Sequence, residues 1–157
     1  MRRIAVVVAV LSLVVVAMPG SANAAGVDVV AGRGYYDASG PLLIFDLMSG
    51  ATDPTPGVGL DGRGMVRIQI PVLGIDDTAR VLCVNVVGNV GVVFTQTVNG
   101  RGTQSASGYA LFVSDGGRTA PDTFSWFLAG PSDLVICQSP TPGGPISRGN
   151  LTLRDGA

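Results

Sequence analysis

The sequence contains no lysine, no glutamate and no histidine, so ten arginines and eleven aspartates carry all of its side-chain charge. Lysine and glutamate are good helix formers, and their absence beside 23 glycines and 10 prolines disfavours an α-helical fold. Without histidine, a serine nucleophile lacks its usual base and zinc lacks one of its preferred ligand types. We therefore predict a protein that is not an enzyme.

The first 24 residues have the pattern of a secretory signal peptide. Arg2 and Arg3 precede an apolar stretch over residues 4–18, which ends at a proline and a glycine. Small residues at Ala22 and Ala24 occupy the two positions that a signal peptidase reads, so we predict cleavage after Ala24. The alternative is a transmembrane anchor, but a span needs about 20 apolar residues and this stretch is shorter.

The remaining residues, 25–157, suit one secreted, extracellular domain that is not inserted in the membrane after cleavage. This part keeps eight arginines and eleven aspartates, which gives it a net charge of −3. Nucleic-acid binders carry a basic surplus, so nucleic acid is not expected as a partner. We expect the partner to be an extracellular protein or a component of the envelope.

The two cysteines, Cys83 and Cys137, both lie in the predicted mature domain. An even number of cysteines in an exported chain predicts a disulfide, against the alternative of two buried free thiols. The bridge would close a loop of about 55 residues, for which the chain-entropy model gives about 4 kcal/mol of stabilisation.

Apolar side chains recur at every second position rather than at helical spacing. In residues 64–71, Val66 and Ile68 are predicted to face a core and Arg67 to face solvent. Three runs are apolar at successive positions and predict strands covered on both faces: residues 42–48, 81–87 and 90–94.

Turn residues separate these runs at short intervals, and Gly88-Asn89 is the dipeptide of a tight hairpin. We predict strands over residues 27–36, 41–48, 64–71, 79–87, 90–98, 108–114, 123–129, 133–138 and 147–154. This pattern predicts an all-β fold, a single antiparallel β-sandwich or barrel of about eight or nine strands with one disulfide. It leaves the choice between sandwich and barrel open.

Four segments taken together resemble uncharacterised exported domains of actinobacteria: residues 83–89, residues 111–117, residues 121–125 and Cys137. Their order is similar to a Cys-x-x-Val-x-Gly-Asn-like hairpin, a Val-x-Asp-Asn-Gly-like turn, a Pro-Asp-x-Phe strand and a final cysteine. Gly116 stands where that family commonly has asparagine. The resemblance implies a β-rich secreted domain and carries neither an activity nor catalytic residues.

Asp115 and Asp122 bracket a glycine-rich loop and are the predicted metal ligands, because hard oxygen ligands suit calcium outside the cell. The repeated Asp-x-Asp-x-Asp spacing is missing from this loop. The alternative is that Asp115 caps a turn and Asp122 starts a strand. No other cofactor is predicted.

Two further groups of residues are candidates for a catalytic site or a ligand-binding site. Asp76 and Asp77 are adjacent carboxylates, but neighbours on one strand point to opposite faces, and we expect them in a solvated turn. Trp126 and the aromatic residues near it could form a sugar-binding face. Phe124, Trp126 and Leu128 lie at alternate positions of one strand and so face the same side, which favours packing of Trp126 in the core instead.

These observations lead to the hypothesis of an exported, non-enzymatic β domain that acts by surface contact. An exposed valine face would serve such contact if no second sheet covers it, and the candidates are Val84, Val86, Val90 and Val92. The alternative is a polysaccharide- or calcium-binding module. An Asp-based hydrolase ranks third and would need two carboxylates about 5–10 Å apart in a cleft.

Overall fold

The computed structural model describes residues 27–37, 42–51, 62–102, 106–138 and 141–156. Its strands are β1 (Asp28–Tyr36), β2 (Leu43–Ala51), β3 (Arg63–Ile70), β4 (Ile75–Val87), β5 (Val90–Asn99), β6 (Tyr109–Ser114), β7 (Thr123–Leu128), β8 (Gly144–Pro145) and β9 (Arg148–Arg154). Two 3₁₀ helices, Pro71–Leu73 and Pro131–Gln138, occur between strands, and these ranges contain no α-helix. The all-β prediction is confirmed.

All nine strands form one antiparallel sheet in the order β8-β7-β6-β5-β4-β3-β2-β1-β9. Each strand from β1 to β7 pairs with the next one along the chain, whereas β9 returns to pair with β1. The sheet curls strongly, which brings Phe124 of β7 onto Phe45 of β2 with ring centroids 4.1 Å apart. The architecture is therefore a half-barrel made from one curled sheet, rather than two stacked sheets.

The tight hairpin between β4 and β5 confirms the sequence signal at Gly88-Asn89. Val87 pairs with Val90, and the two residues between them form the turn. Gly88 has a φ of 61°, a left-handed conformation that glycine adopts without a steric penalty.

The concave side of the sheet is filled by side chains. Phe45 lies across Gly34, its register partner on β1, and a Cβ atom on that glycine would meet the Phe45 ring at 2.6 Å. The Phe45 ring also stacks on Phe124, with the two ring planes inclined by only 3°. Further large side chains fully buried in this core are Leu43, Ile68, Ile70, Tyr109, Leu111 and Leu151.

An irregularity in the pairing of β4 with β5 exchanges the two faces of β4. The register shifts between Val81 and Cys83, which is the effect of a β-bulge with one extra residue. Before the shift, odd-numbered residues such as Val81 face the core, and after it the even-numbered Val84 and Val86 do. Cys83 consequently lies on the outer side of the sheet, within a second apolar cluster.

The 3₁₀ helix Pro131–Gln138 covers this second cluster on the outside of β4 and β5. Cys137 lies in the helix and forms the predicted disulfide with Cys83, with the two Cα atoms 6.5 Å apart. The side-chain amide of Asn85 donates a hydrogen bond to the Cys137 carbonyl oxygen at 2.8 Å. These contacts hold the helix against the sheet.

The predicted strand over residues 133–138 is wrong, because the chain turns at its start. The Gly130 N–H donates to the Asp133 carboxylate at 2.8 Å, and the Asp133 N–H donates to the Gly130 carbonyl oxygen at 3.0 Å. The apolar side chains of Ile136 and Cys137 then pack on the second cluster. They cover the sheet instead of extending it.

The chain crosses from β7 to β1 near its C-terminus and bridges the gap in the half-barrel. After β8, the Ile146 N–H donates to the Asp122 carbonyl oxygen at 3.0 Å, and the Ser147 N–H donates to the Tyr35 carbonyl oxygen at 2.9 Å. The backbone then continues as β9 along β1. We call the line between β7 and β9 the seam.

The predicted signal peptide, residues 1–24, lies outside the described residues. Within the described ranges, no helix has the length and the hydropathy of a membrane-spanning segment.

Candidate functional site

The outer surface of the uncovered strands carries most of the arginines. The outward side chains of β9, β1, β2, β3 and the first half of β4 include six exposed arginines, namely Arg33, Arg63, Arg67, Arg80, Arg148 and Arg154. The same surface carries two aspartates, Asp46 and Asp76, which leaves a surplus of four positive charges. We call this surface the arginine face. It is basic although the whole sequence has a net charge of −1.

Strand register and two carboxylates fix the central arginines of this face. Asp46 of β2 is the register partner of both Arg33 on β1 and Arg67 on β3. Arg33 Nη2 donates to Asp46 Oδ2 at 2.9 Å. Arg67 instead turns toward β4 and donates two hydrogen bonds to Asp76, from Nε to Oδ1 at 2.8 Å and from Nη2 to Oδ2 at 2.7 Å.

The bidentate pair shifts the titration of both of its members. The hydrogen bonds from Arg67 hold the pKa of Asp76 below its usual value, and the bonded Asp76 raises the pKa of the Arg67 guanidinium. Solvent screens the pair, because the Arg67 and Asp76 side chains are 54% and 29% exposed. Both groups are therefore charged at neutral pH, and the pair mainly holds the guanidinium in one orientation.

Two clefts lie on the arginine face, one on each side of Arg67. The first has a volume of about 210 Å³, and its lining includes Arg33, Tyr35, Asp46, Arg67 and Gln69. The second has a volume of about 240 Å³ and is lined by Arg67, Asp76, Thr78, Asn99 and Arg101. Because Arg67 lines both clefts, we treat them as one cross-strand groove that runs over the face from β1 to the end of β5.

The two ends of the cross-strand groove differ in chemistry. At the β1 end, Tyr35 is 40% exposed and offers an aromatic ring. At the β5 end lies Arg101, whose backbone is tied to Asp76. The Asp76 N–H donates to the Arg101 carbonyl oxygen at 3.1 Å, and the Arg101 N–H donates to the Asp76 carbonyl oxygen at 3.3 Å.

Two methionines on the arginine face are exposed beside this groove. Met48 and Met65 are register partners on β2 and β3, two register positions along from the partners Asp46 and Arg67. Met48 is 74% exposed and Met65 is 45% exposed. With Ile44, which lines the first cleft, they add apolar area to a surface that is mainly charged and polar.

Asp115 and Asp122, the predicted calcium ligands, accept hydrogen bonds from backbone amides. Asp115 Oδ1 accepts from the Gly117 N–H at 2.7 Å, which closes a turn. Asp122 accepts from the Gly116 N–H at 3.0 Å and, across the seam, from the Leu151 N–H at 2.6 Å. Among the described residues, no group of three or more Asp or Cys side chains is placed to hold a metal ion. Calcium binding at this loop stays a prediction.

The adjacent carboxylates Asp76 and Asp77 lie within β4, so their predicted place in a solvated turn is wrong. The hairpin turns earlier, at residues 71–74. As expected for neighbours on a strand, the two side chains point to opposite faces, with Asp76 on the arginine face and Asp77 fully buried. Of these two carboxylates, a substrate in the cross-strand groove could therefore contact Asp76 but not Asp77.

Asp77 anchors a loop to the core. It accepts a hydrogen bond from the Tyr109 hydroxyl at 2.5 Å, and from the backbone N–H groups of Arg101 and Ala106 at 3.2 Å each. Burial and this bond raise the pKa of the Tyr109 phenol, so the phenol stays protonated and donates. The buried carboxylate thus fixes both ends of residues 101–106.

The aromatic and valine faces considered from the sequence are largely inside the protein. Phe124 is fully buried, and Trp126 is partly buried with its ring 6.1 Å from that of Tyr109. Leu128, which shares their parity, is 60% exposed at the end of β7. Three of the four candidate contact valines are buried, so they cannot form an exposed valine face: Val84, Val86 and Val92.

Sequence reasoning did not find the arginine face. The alternating pattern correctly places Arg67 and Arg154 on the solvent side of their own strands. It does not reveal that β9 pairs with β1, and this pairing brings Arg148 and Arg154 beside the arginines of β1 to β4. The available signal was that each of these arginines lies at an outward position of its own strand. Recognising one face from these positions also requires the strand order, which the sequence did not supply.

Comparisons with known proteins gave no match, whether with family models, with curated proteins or with solved structures. The resemblance to exported actinobacterial domains therefore stays a prediction.

Proposed function

We propose that this protein is an exported, non-enzymatic binding domain that acts by surface contact, and that the arginine face is its contact surface. One observation carries the proposal: six of the ten arginines in the sequence lie on one face of the sheet, in a chain with no excess of positive charge. Arginine is favoured where carboxylate, sulfate or phosphate groups are recognised, because its planar donors match them.

The packed interior supports a surface mode of action. The concave side of the curled sheet is filled by the Phe45, Phe124 and Tyr109 side chains and their aliphatic neighbours. Several aspartates hold the fold together by accepting hydrogen bonds from backbone amides. Asp77 and Asp122 bind backbone amides, and Asp28 accepts from the Val86 and Gly156 N–H groups at 2.9 Å each.

Export is supported by the disulfide as well as by the signal-like N-terminal sequence. Disulfides form and persist in oxidising compartments and are rare in the cytosol. The Cys83–Cys137 bridge lies under the covering helix, where it holds residues 131–138 on the sheet.

A footprinting experiment tests the contact surface. The purified protein is treated with phenylglyoxal, which modifies arginines, in the presence and absence of envelope material from the producing cells. Peptide mass spectrometry then gives the modification at each arginine. We expect protection of Arg33, Arg67 and Arg148, and no protection of Arg118, which is exposed in the β6–β7 turn and belongs to none of the strands that form the face.

Matched variants complete the test. The double variant Arg33→Gln/Arg67→Gln should no longer sediment with envelope material, whereas Arg118→Gln should sediment like the wild type. Equal protection of all arginines, or a double variant that still sediments, would contradict the arginine face as the contact surface. Turnover of an envelope polymer by the purified protein would contradict the non-enzymatic part.

A further inference from the structure

We infer that the cross-strand groove binds an acidic polysaccharide, a linear carbohydrate that carries carboxylate or sulfate groups. This inference rests on the proposed function and names the chemistry of its partner. It assigns the ligand to the groove that Tyr35, Arg33, Arg67 and Arg101 line, and not to the region of the partly buried Trp126.

The arginines of the groove keep donors for an anion although each of the central two has a carboxylate partner. A guanidinium has five N–H donors. Asp76 accepts two of those on Arg67, so three remain, and Asp46 accepts from only one nitrogen of Arg33. The carboxylates thus orient the guanidinium groups in advance, which reduces the entropy lost when a ligand binds.

The spacing of these arginines suits a repeating polymer. Arg33 and Arg67 lie on β1 and β3, which are two strand spacings or about 10 Å apart. Arg101 extends the row beyond β4, next to Asp76. A chain laid across the strands would therefore meet guanidinium groups at regular intervals, with the Asp46 and Asp76 carboxylates that orient them lying in between.

The neutral lining favours carbohydrate over other anions. Gln69, Thr78 and Asn99 supply amide and hydroxyl groups for sugar hydroxyls, and Tyr35 supplies a half-exposed ring on which a sugar can pack. An acidic peptide would gain most by pairing with a free strand edge, and this groove crosses the middle of the sheet. A flat bilayer would touch only part of the convex outer surface of a half-barrel.

Binding measurements with defined polymers test the inference. The purified protein is titrated with polygalacturonate, which carries carboxylates, with dextran sulfate, and with neutral dextran, at two salt concentrations. Polyglutamate and phosphatidylglycerol vesicles represent the acidic-peptide and membrane alternatives. We expect binding to at least one acidic polysaccharide, weakened by salt, and none to neutral dextran.

Variants locate the site. Arg67→Gln should weaken polysaccharide binding at least about tenfold, because it removes charge-assisted hydrogen bonds to the acidic groups of the ligand. Tyr35→Ala should weaken it severalfold without changing the salt dependence, because the ring is neutral. Arg118→Gln removes the same charge outside the groove and should change the affinity less than twofold. Near-ultraviolet circular dichroism confirms that each variant is folded.

The outcomes separate this inference from the proposed function. Tighter binding to polyglutamate or vesicles, no effect of Arg67→Gln, or no binding to either acidic polysaccharide would overturn the assignment of the ligand. If envelope material still protects Arg67 from phenylglyoxal in that case, the contact surface stands and only its ligand is wrong. If that protection is also absent, the proposed function fails as well.

Discussion

The outer surfaces of the two halves of the sheet differ in composition and in whether another part of the chain covers them. On β1 to β3 the outward residues include three arginines, polar side chains and two methionines, and the described residues leave them in contact with solvent. On β4 to β6 the outward residues include Phe94, Phe112 and Val92, and the 3₁₀ helix Pro131–Gln138 covers this cluster. The same sheet thus has a covered half and, among the described residues, a bare half whose outward side chains contact solvent.

The difference follows from one irregularity and one bond. The shift between Val81 and Cys83 places apolar residues on both sides of the later part of β4. The disulfide to Cys137 then holds a cover over the side that would otherwise be exposed. The bare half has neither feature, and we expect it to tolerate substitution far better than the covered half.

Among the changes that test this difference, removal of the disulfide should have the largest effect on the free energy of unfolding. The double variant Cys83→Ala/Cys137→Ala should lose about 4 kcal/mol in the free energy of unfolding, since the bridge closes a loop with a sequence separation of 54. Urea unfolding followed by circular dichroism measures the loss. A reducing agent should destabilise the wild type to a similar degree and leave the variant unchanged. A loss below about 1 kcal/mol would mean that the cover stays in place without the bond.

Two large-to-small substitutions compare the halves directly. Phe94→Ala, on the covered half, should cost about 3–4 kcal/mol because the ring is 1% exposed. Met48→Ala, on the bare half, should change stability by less than about 0.5 kcal/mol because the residue is 74% exposed. The free energies of unfolding in urea provide the comparison. Equal costs would show that the outer surface of β2 is also covered in solution.

The seam between β7 and β9 should show an intermediate effect. Asp122→Ala leaves the N–H groups of Gly116 and Leu151 without their acceptor and should cost about 1–3 kcal/mol. Asp115→Ala is the matched control and should cost about 0.5 kcal/mol, because its turn is exposed to water. Thermal unfolding of both variants, with and without millimolar calcium, also tests the calcium prediction. A melting temperature that calcium raises in the wild type and not in Asp122→Ala would favour a metal site there.

The smallest effect on stability is expected for the ion pair on the bare half. Because Arg67 lowers the pKa of Asp76 in the folded protein, the pair stabilises the fold above the unfolded carboxyl pKa. That stabilisation disappears as the pH falls through the lowered folded value. The melting temperatures of wild type and Arg67→Gln should therefore differ slightly at neutral pH and converge in strong acid. A difference that persists in acid would mean that Arg67 stabilises the protein by packing rather than by charge.

Local patterns predicted most of the strands well. Alternation in residues 64–71 and the Gly88-Asn89 turn lie where the structure has β3 and the β4–β5 hairpin. The errors occur where a distant contact decides the outcome. Residues 133–138 look like a strand but cover the sheet through Cys137, and Asp77 looks like a turn residue but bonds to Tyr109, 32 positions away.

The sequence by itself determined the all-β class, the pair of cysteines that bond, and the side of its own strand on which an arginine such as Arg67 lies. These properties depend on residue type and on a period of two, which are local. Only the tertiary structure decided that one sheet curls into a half-barrel, that the return of β9 to β1 gathers arginines from four strands, and that Asp122 holds the seam. The physical reason is that strand order and bulges depend on contacts between residues far apart in the chain, and these leave no periodic trace in the sequence.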